Sequence, residues 1–166
     1  MKAAVVQEIG APFSIEEVQI AQPIGSEVLI DVQASGLCHS DLSVQRYGMG
    51  TAMPAVLGHE VAGIVTAVGP DVIEIAVGDH VVGSLIQACG QCLHCLDGEL
   101  VNCEHPERTE RTADQPPRLS LRGEAVTQGM ALGGFAQQAL IHERQLAKVP
   151  DDMPWAQAAL IGCGVL

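Results

Sequence analysis

Cys89, Cys92, Cys95 and Cys103 are spaced C-x2-C-x2-C-x7-C, and this pattern limits what the chain can build more sharply than any run of hydrophobic periodicity. Short gaps let neighbouring thiolates converge on one ion, and a fourth from farther along closes a tetrahedron. A closed four-thiolate shell leaves no open position, which makes such a zinc structural. The segment around it is then held by metal rather than by an apolar core. Ferredoxin-type iron–sulfur motifs share the C-x2-C-x2-C opening, but their next cysteine comes three residues on and precedes proline. Here the gap is seven and Glu104 follows Cys103. With four thiolates available, the neighbouring His94 and His105 read as solvated rather than ligating.

Composition narrows the remaining possibilities. Of the 166 residues 48% are apolar, which excludes disorder, and the net charge is −12. Phosphate backbones need a basic face and stacked bases need aromatics. With an acidic balance and only Phe13, Tyr47, Phe135 and Trp155 as aromatics, no nucleic-acid partner is expected. No run approaches the roughly 18 apolar residues of a membrane helix, and MKAAVVQEIGAP lacks the apolar region and cleavage site of a signal peptide. The reading is a cytoplasmic chain, no membrane partner, and six cysteines serving metal rather than disulfides.

Alternating, β-branched stretches predict strands at Lys2–Gln7, Ser14–Gln19, Glu27–Ala34, His59–Val68 and His80–Gly83, punctuated by glycine and proline. Short helices are predicted over His39–Tyr47 and Pro154–Ile161. From Gly90 to Gly129 the patterning breaks down, and this span reads as a metal-tied lobe followed by an irregular excursion. Patterning resumes at Gly133.

Cys38 and Cys163 lie outside the lobe, each in a glycine context (GLCHSD and GCGV), and His59 lies between them in GHE. Two thiolates and one imidazole make a three-ligand site with one position open. Spacing alone does not bring such distant residues together, and an isolated cysteine is most often a small buried hydrophobe. Ser40 and Asp41 also suit a helix N-cap after Cys38.

GHEVAGIVTAVGPDV followed by VGDHVV resembles the signature of zinc-dependent, medium-chain alcohol dehydrogenases. GLCHSD, the four-cysteine lobe and the late GCGV stand in that family's order, and the step of 21 residues from Cys38 to His59 fits it. The resemblance covers essentially the whole chain. It implies a mainly β fold, with a GroES-like β-barrel core, short helices and a zinc-binding lobe at about 89–103, and residues 1–166 forming one catalytic domain. It implies two zinc ions: a structural one on Cys89, Cys92, Cys95 and Cys103, and a catalytic one on Cys38, His59 and Cys163, the Cys2His set known from alcohol dehydrogenase. Glu60 matches an acid close to the metal. Asp41 matches the carboxylate that orients the ligand histidine. Ser40 matches the hydroxyl that starts a proton relay from the alcohol, His39 a contact to the cofactor pyrophosphate, and Leu85 and Met49 the substrate pocket. Where some members complete the relay with a histidine, this chain has Ser43. The implied reaction is reversible oxidation of a small alcohol to an aldehyde or ketone, with hydride transfer to NAD(P).

Family members continue into a Rossmann domain. A G-x-G-x-x-G motif opening a βαβ unit has no match in these 166 residues; Gly48-Met49-Gly50 and Gly162-Cys163-Gly164 both lack the third glycine. The expectations are that the cofactor-binding domain is absent, that this chain alone is inactive, and that uncovered sheet edges favour a homo-oligomer. The competing reading is a zinc-binding interaction module without catalysis.

Overall fold

The computed structural model describes residues 1–165. It is mainly β. Strands β1 (Lys2–Val6), β2 (Ser14–Glu17), β3 (Gln19–Ile20) and β4 (Glu27–Ser35) lead into helix α1 (His39–Tyr47). Strands β5 (Ala55–Val56), β6 (Val61–Val68) and β7 (His80–Gly83) follow, then the four-residue helix α2 (Leu93–Leu96). Strands β8 (Leu119–Leu121), β9 (Glu124–Gln128), β10 (Gln138–His142) and β11 (Leu146–Lys148) precede helix α3 (Trp155–Leu160).

Two sheets run in the orders β2-β1-β5-β9-β8-β3 and β10-β4-β6-β7-β11. Residues 134–137 stitch them together: the Ala4 amide donates to the Phe135 carbonyl, and the Val32 amide to that of Gln137. Each sheet turns alternate side chains into a core, and the second is covered on its other face as well, so that β4 and β10 contain unbroken buried runs. Val28, Ile30, Val61, Val65, Val81 and Ile141 fill one core; Val5, Val56, Leu119 and Val126 fill another. Gly63 is glycine because a Cβ there would collide with the Asp31 carbonyl of β4, where the β4–β6 register shifts at two places and the sheet bends. Helix α3 lays Ala158 and Ala159 on Ala62 and Val82 of the second sheet.

Three expectations are corrected. The excursion is not irregular throughout, because β8 and β9 form a hairpin within it. Its two loop residues, Arg122 (φ 55°) and Gly123 (φ 90°), are both left-handed, the turn that matches strand twist. The Arg-Gly pair between short apolar runs was the signal, masked by the polar stretch before it. The Ser14–Gln19 strand is divided: Val18 pairs with Met1, so β2 stays on β1 while β3 crosses to β8. Strand β6 also begins at Val61 rather than His59, since Gly58 (φ 94°) turns the chain just before.

A buried charge cluster ties the excursion to the barrel. Glu27, 4% exposed, accepts from Arg111 Nε (2.9 Å) and Nη2 (2.6 Å), from Arg118 Nε (2.7 Å) and from the Ile24 amide (3.0 Å). The two guanidiniums also donate to the Gln22, Pro116 and Thr109 carbonyls. Between β10 and β11, the 3-10 turn Glu143–Gln145 is fastened on several sides. Glu143 accepts from the Ile73 amide (3.0 Å), and Gln145 donates to the Ser84 and Met130 carbonyls.

Candidate metal and active site

Cys38, at the start of α1, ends the loop leaving β4, and His59 and Glu60 stand just ahead of β6. Cys163 follows α3. The structure brings them together: one ligand atom from each of Cys38, His59, Glu60 and Cys163 lies within 4.8 Å of all the others. The Cys38 and Cys163 sulfurs are 4.0 Å apart. Two sulfurs on one tetrahedral zinc, each at about 2.3 Å, stand about 3.8 Å apart.

His59 is 1% exposed. Its Nδ1 lies 3.1 Å from Asp41 Oδ1, which also accepts from the Gly58 amide at 3.0 Å. With Nδ1–H donated to Asp41, Nε2 is a bare lone pair, and it is buried with no hydrogen-bond partner. An orphaned acceptor of this kind calls for an explanation. A cation held with the two sulfurs supplies one, so the donor set fits zinc. The Asp41 contact also holds the His59 pKa above its ordinary value.

The N-cap reading of Ser40 and Asp41 does not describe what they do. Cys38 is the N-cap, without a side-chain cap. Asp41 is committed to His59 and Gly58, and Ser40 Oγ donates to Cys38 Sγ at 3.1 Å. That bond is the largest cause holding the Cys38 thiol below its ordinary pKa. Burial and the neighbouring Cys38 push Cys163 up to about 11. Glycines crowd the site: a Cβ on Gly36 would run into the Glu60 carboxylate, and one on Gly162 into the Gly83 carbonyl. Because that second obstacle is backbone, Gly162→Ala is expected to lower stability by about 1–3 kcal/mol. An unchanged urea midpoint would refute this close approach of the Cys163 loop to β7.

The lobe is the second convergence. The ligand atoms of Cys89, Cys92, Cys95 and Cys103 lie within 4.8 Å of one another, with Cys89 and Cys95 sulfurs 4.0 Å apart. Backbone amides point at the sulfurs: Cys89 N to Cys103 Sγ at 3.2 Å, and His105 N to the same sulfur at 3.3 Å. Without a cation the four cannot all ionise. The Gln91 and Cys92 amides draw Cys89 down to about 6, while burial and the adjacent sulfurs push Cys95 up to about 12. His94 and His105 turn to Glu99 (3.0 Å) and Glu107 (3.4 Å) instead of joining the set.

The remaining sequence-derived positions are more scattered. His39 is exposed, and Ser43 Oγ donates to its carbonyl at 3.2 Å. Leu85 packs against the second sheet's core, and Met49 is 67% exposed in the turn after α1. Beside Cys38 the structure instead opens an apolar cavity of about 390 Å³, walled by Phe13, Leu37, Leu42 and Phe135. These four were not anticipated. The one available signal was that Phe13 and Phe135, an edge-to-face pair 6.0 Å apart, are half of the chain's aromatic residues.

Residues 25–151 match the alcohol dehydrogenase GroES-like domain. The chain belongs to the alcohol dehydrogenase family. It is 40% identical to an NDMA-dependent alcohol dehydrogenase of Amycolatopsis methanolica and 37% identical to alcohol dehydrogenase B of Mycobacterium tuberculosis, over 99% of its own length in each case. The same fold appears in a zinc-binding-domain alcohol dehydrogenase protein from Burkholderia ambifaria (TM-score 0.91, 42% identity) and in benzyl alcohol dehydrogenase from Acinetobacter calcoaceticus (TM-score 0.87, 38% identity). Each superposition covers 99% of this chain and 45% of the other. The chain likewise spans 45% of the length of both curated relatives. The expected GroES-like architecture is therefore the observed one.

Proposed function

We propose that this alcohol dehydrogenase domain carries two zinc ions, one on the lobe cysteines and one on Cys38, His59 and Cys163. On this reading it forms the catalytic-domain portion of an enzyme that interconverts an alcohol with an aldehyde or ketone, using NAD(P). The observation that carries it is the buried, unpartnered Nε2 of His59 facing two sulfurs 4.0 Å apart. When bound there, zinc supplies Lewis-acid polarisation of an oxygen, and a nicotinamide supplies hydride chemistry.

The chain's own residues do the rest. Asp41 holds the imidazole in the tautomer that frees Nε2. Glu60, 4% exposed, places a carboxylate beside the ligands. Ser40, already at the Cys38 sulfur, takes the alcohol proton. Ser43 is engaged with the His39 carbonyl, so Ser40 hands that proton to solvent. Exposed His39 meets the cofactor pyrophosphate, and Leu85 and Met49 face substrate in the assembled cleft. The 166 residues alone carry no dinucleotide motif and do not turn over. The enzyme is cytoplasmic and pairs with further copies through its sheet edges. A second reading, a zinc-binding interaction module, draws on the outward-facing Leu93 (68% exposed), Leu96 (71%) and Val101 (77%) of the lobe.

Elemental analysis tests the site. Two zincs per chain, falling to one in Cys163→Ser, are expected. One zinc in the wild type, or iron in place of zinc, refutes the reading. In the cobalt-substituted protein, alcohol should shift the visible absorption; a spectrum indifferent to alcohol favours the interaction module.

A further inference from the structure

The stretch from Cys89 to Glu104 contains Asp97, Glu99 and Glu104 and no lysine or arginine. Four thiolates around a divalent ion leave a double negative charge. The lobe therefore concentrates negative charge in a chain that is already at −12. Within that stretch only backbone amides aimed at the sulfurs offset it, such as those of Cys89 and Gln91.

The barrel brings a cation to the lobe. Gly90, between the first two cysteines, has φ 72°. The space where its Cβ would stand is filled by the Arg144 guanidinium, with Nη1, Cζ and Nε all in the way. The next amide along, that of Gln91, points at Cys89 Sγ at 3.5 Å, so the peptide segment under Arg144 lies against the sulfur cluster. Arg144 sits in the fastened turn Glu143–Gln145, with its amide donating to His142 Nδ1 at 3.2 Å. A fastened turn thus holds a guanidinium against the Gly90 backbone, one residue from the ligand Cys89. Arg108 adds only a 3.5 Å contact to Gln91 from an exposed position.

We propose that Arg144 is a positioning residue of the lobe metal site: from the barrel it covers the Gly90 peptide and supplies counter-charge to the four-cysteine cluster, slowing release of the ion. This rests on the reading that the lobe holds zinc. Groups outside the ligand set that orient or neutralise ligands are commonly worth 10–100-fold in metal affinity. Arg144 is exposed, so its replacement leaves the fold intact.

The test measures zinc transfer to a chromogenic chelator in a Cys38→Ser/Cys163→Ser background, so that only the lobe ion is read. Arg144→Met, which keeps much of the reach without the charge, should release zinc about tenfold faster. Arg144→Lys should stay closer to the parent than to Arg144→Met. Arg122→Met, which removes a cation from the β8–β9 turn, serves as the control for net charge and should match the parent. Release from Arg144→Met within threefold of the parent overturns the proposal. So does Arg144→Lys as fast as Arg144→Met, which would mean packing alone, or Arg122→Met as fast as Arg144→Met, which would mean net charge alone. A parent that purifies without zinc instead refutes the metal reading beneath it, so the two failures are distinct.

Discussion

Glu27→Ala is expected to cost about 3–5 kcal/mol of stability, because it strands two guanidiniums in the interior. Arg111 and Arg118 side chains are 7% and 8% exposed, and this carboxylate is the counter-ion of both, taking Nε and Nη2 of Arg111 and Nε of Arg118. For a domain of this size, each kcal/mol moves the melting temperature by about 2–4 °C, so a fall of roughly 6–20 °C should appear in a thermal melt. Glu27→Gln keeps the shape, removes the charge, and should lose most of the same stability. A loss below about 1 kcal/mol would mean that the cluster is not what binds the excursion to β4.

The pH dependence has a definite sign. Burial works to raise the Glu27 pKa, but the Arg111 fork, the Ile24 amide and Arg118 outweigh it and hold the folded value below the ordinary 4.5. A group depressed on folding contributes its stability in full above its unfolded pKa and loses it as pH falls through the folded one. The stability gap between wild type and Glu27→Gln should therefore be constant above pH 4.5 and narrow below it. A gap that widens on acidification would reverse this assignment.

The second large effect belongs to the lobe. Cys95→Ser should reduce zinc by one equivalent and leave residues 90–108 open to proteolysis, while the circular dichroism of the barrel is preserved. Structural zinc is worth about 10–16 kcal/mol in zinc-finger peptides, far more than this lobe can recover from packing, since α2 buries nothing. The damage should stop at both ends. Ala88 is buried, and Arg111 is tied to Glu27, so cleavage is expected between these anchors. Protection equal to the wild type would show that protein contacts, not metal, order the segment.

The ease of reading this chain followed how local each signal was. The lobe cysteines announce themselves because three of the four lie within seven residues. The helix over His39–Tyr47 and the strands at Glu27 and Val61 follow from alternation and glycine punctuation. The convergence of Cys38, His59 and Cys163 had no local signal: it depends on α3 docking against β6 and β7, and only resemblance pointed to it. The Glu27–Arg111–Arg118 cluster was invisible for the same reason, since Glu27 lies 84 and 91 residues from the two arginines and all three look like solvated surface. The apolar wall of Phe13, Leu37, Leu42 and Phe135 combines three separate segments and likewise appears only in the fold.

Helix α3 has a consequence of its own. Cys38 and His59 are held by the barrel and by Asp41, whereas Cys163 reaches the site only when Ala158 and Ala159 are seated on Ala62 and Val82. Seating of the helix and capture of an ion by all three ligands are then two linked equilibria. By reciprocity, whatever factor the seated helix adds to ion affinity, the ion returns to the seating of the helix. A mutation at Ala159 that touches no ligand should therefore be legible as a weaker metal constant, and metal should restore the docking that such a mutation loosens.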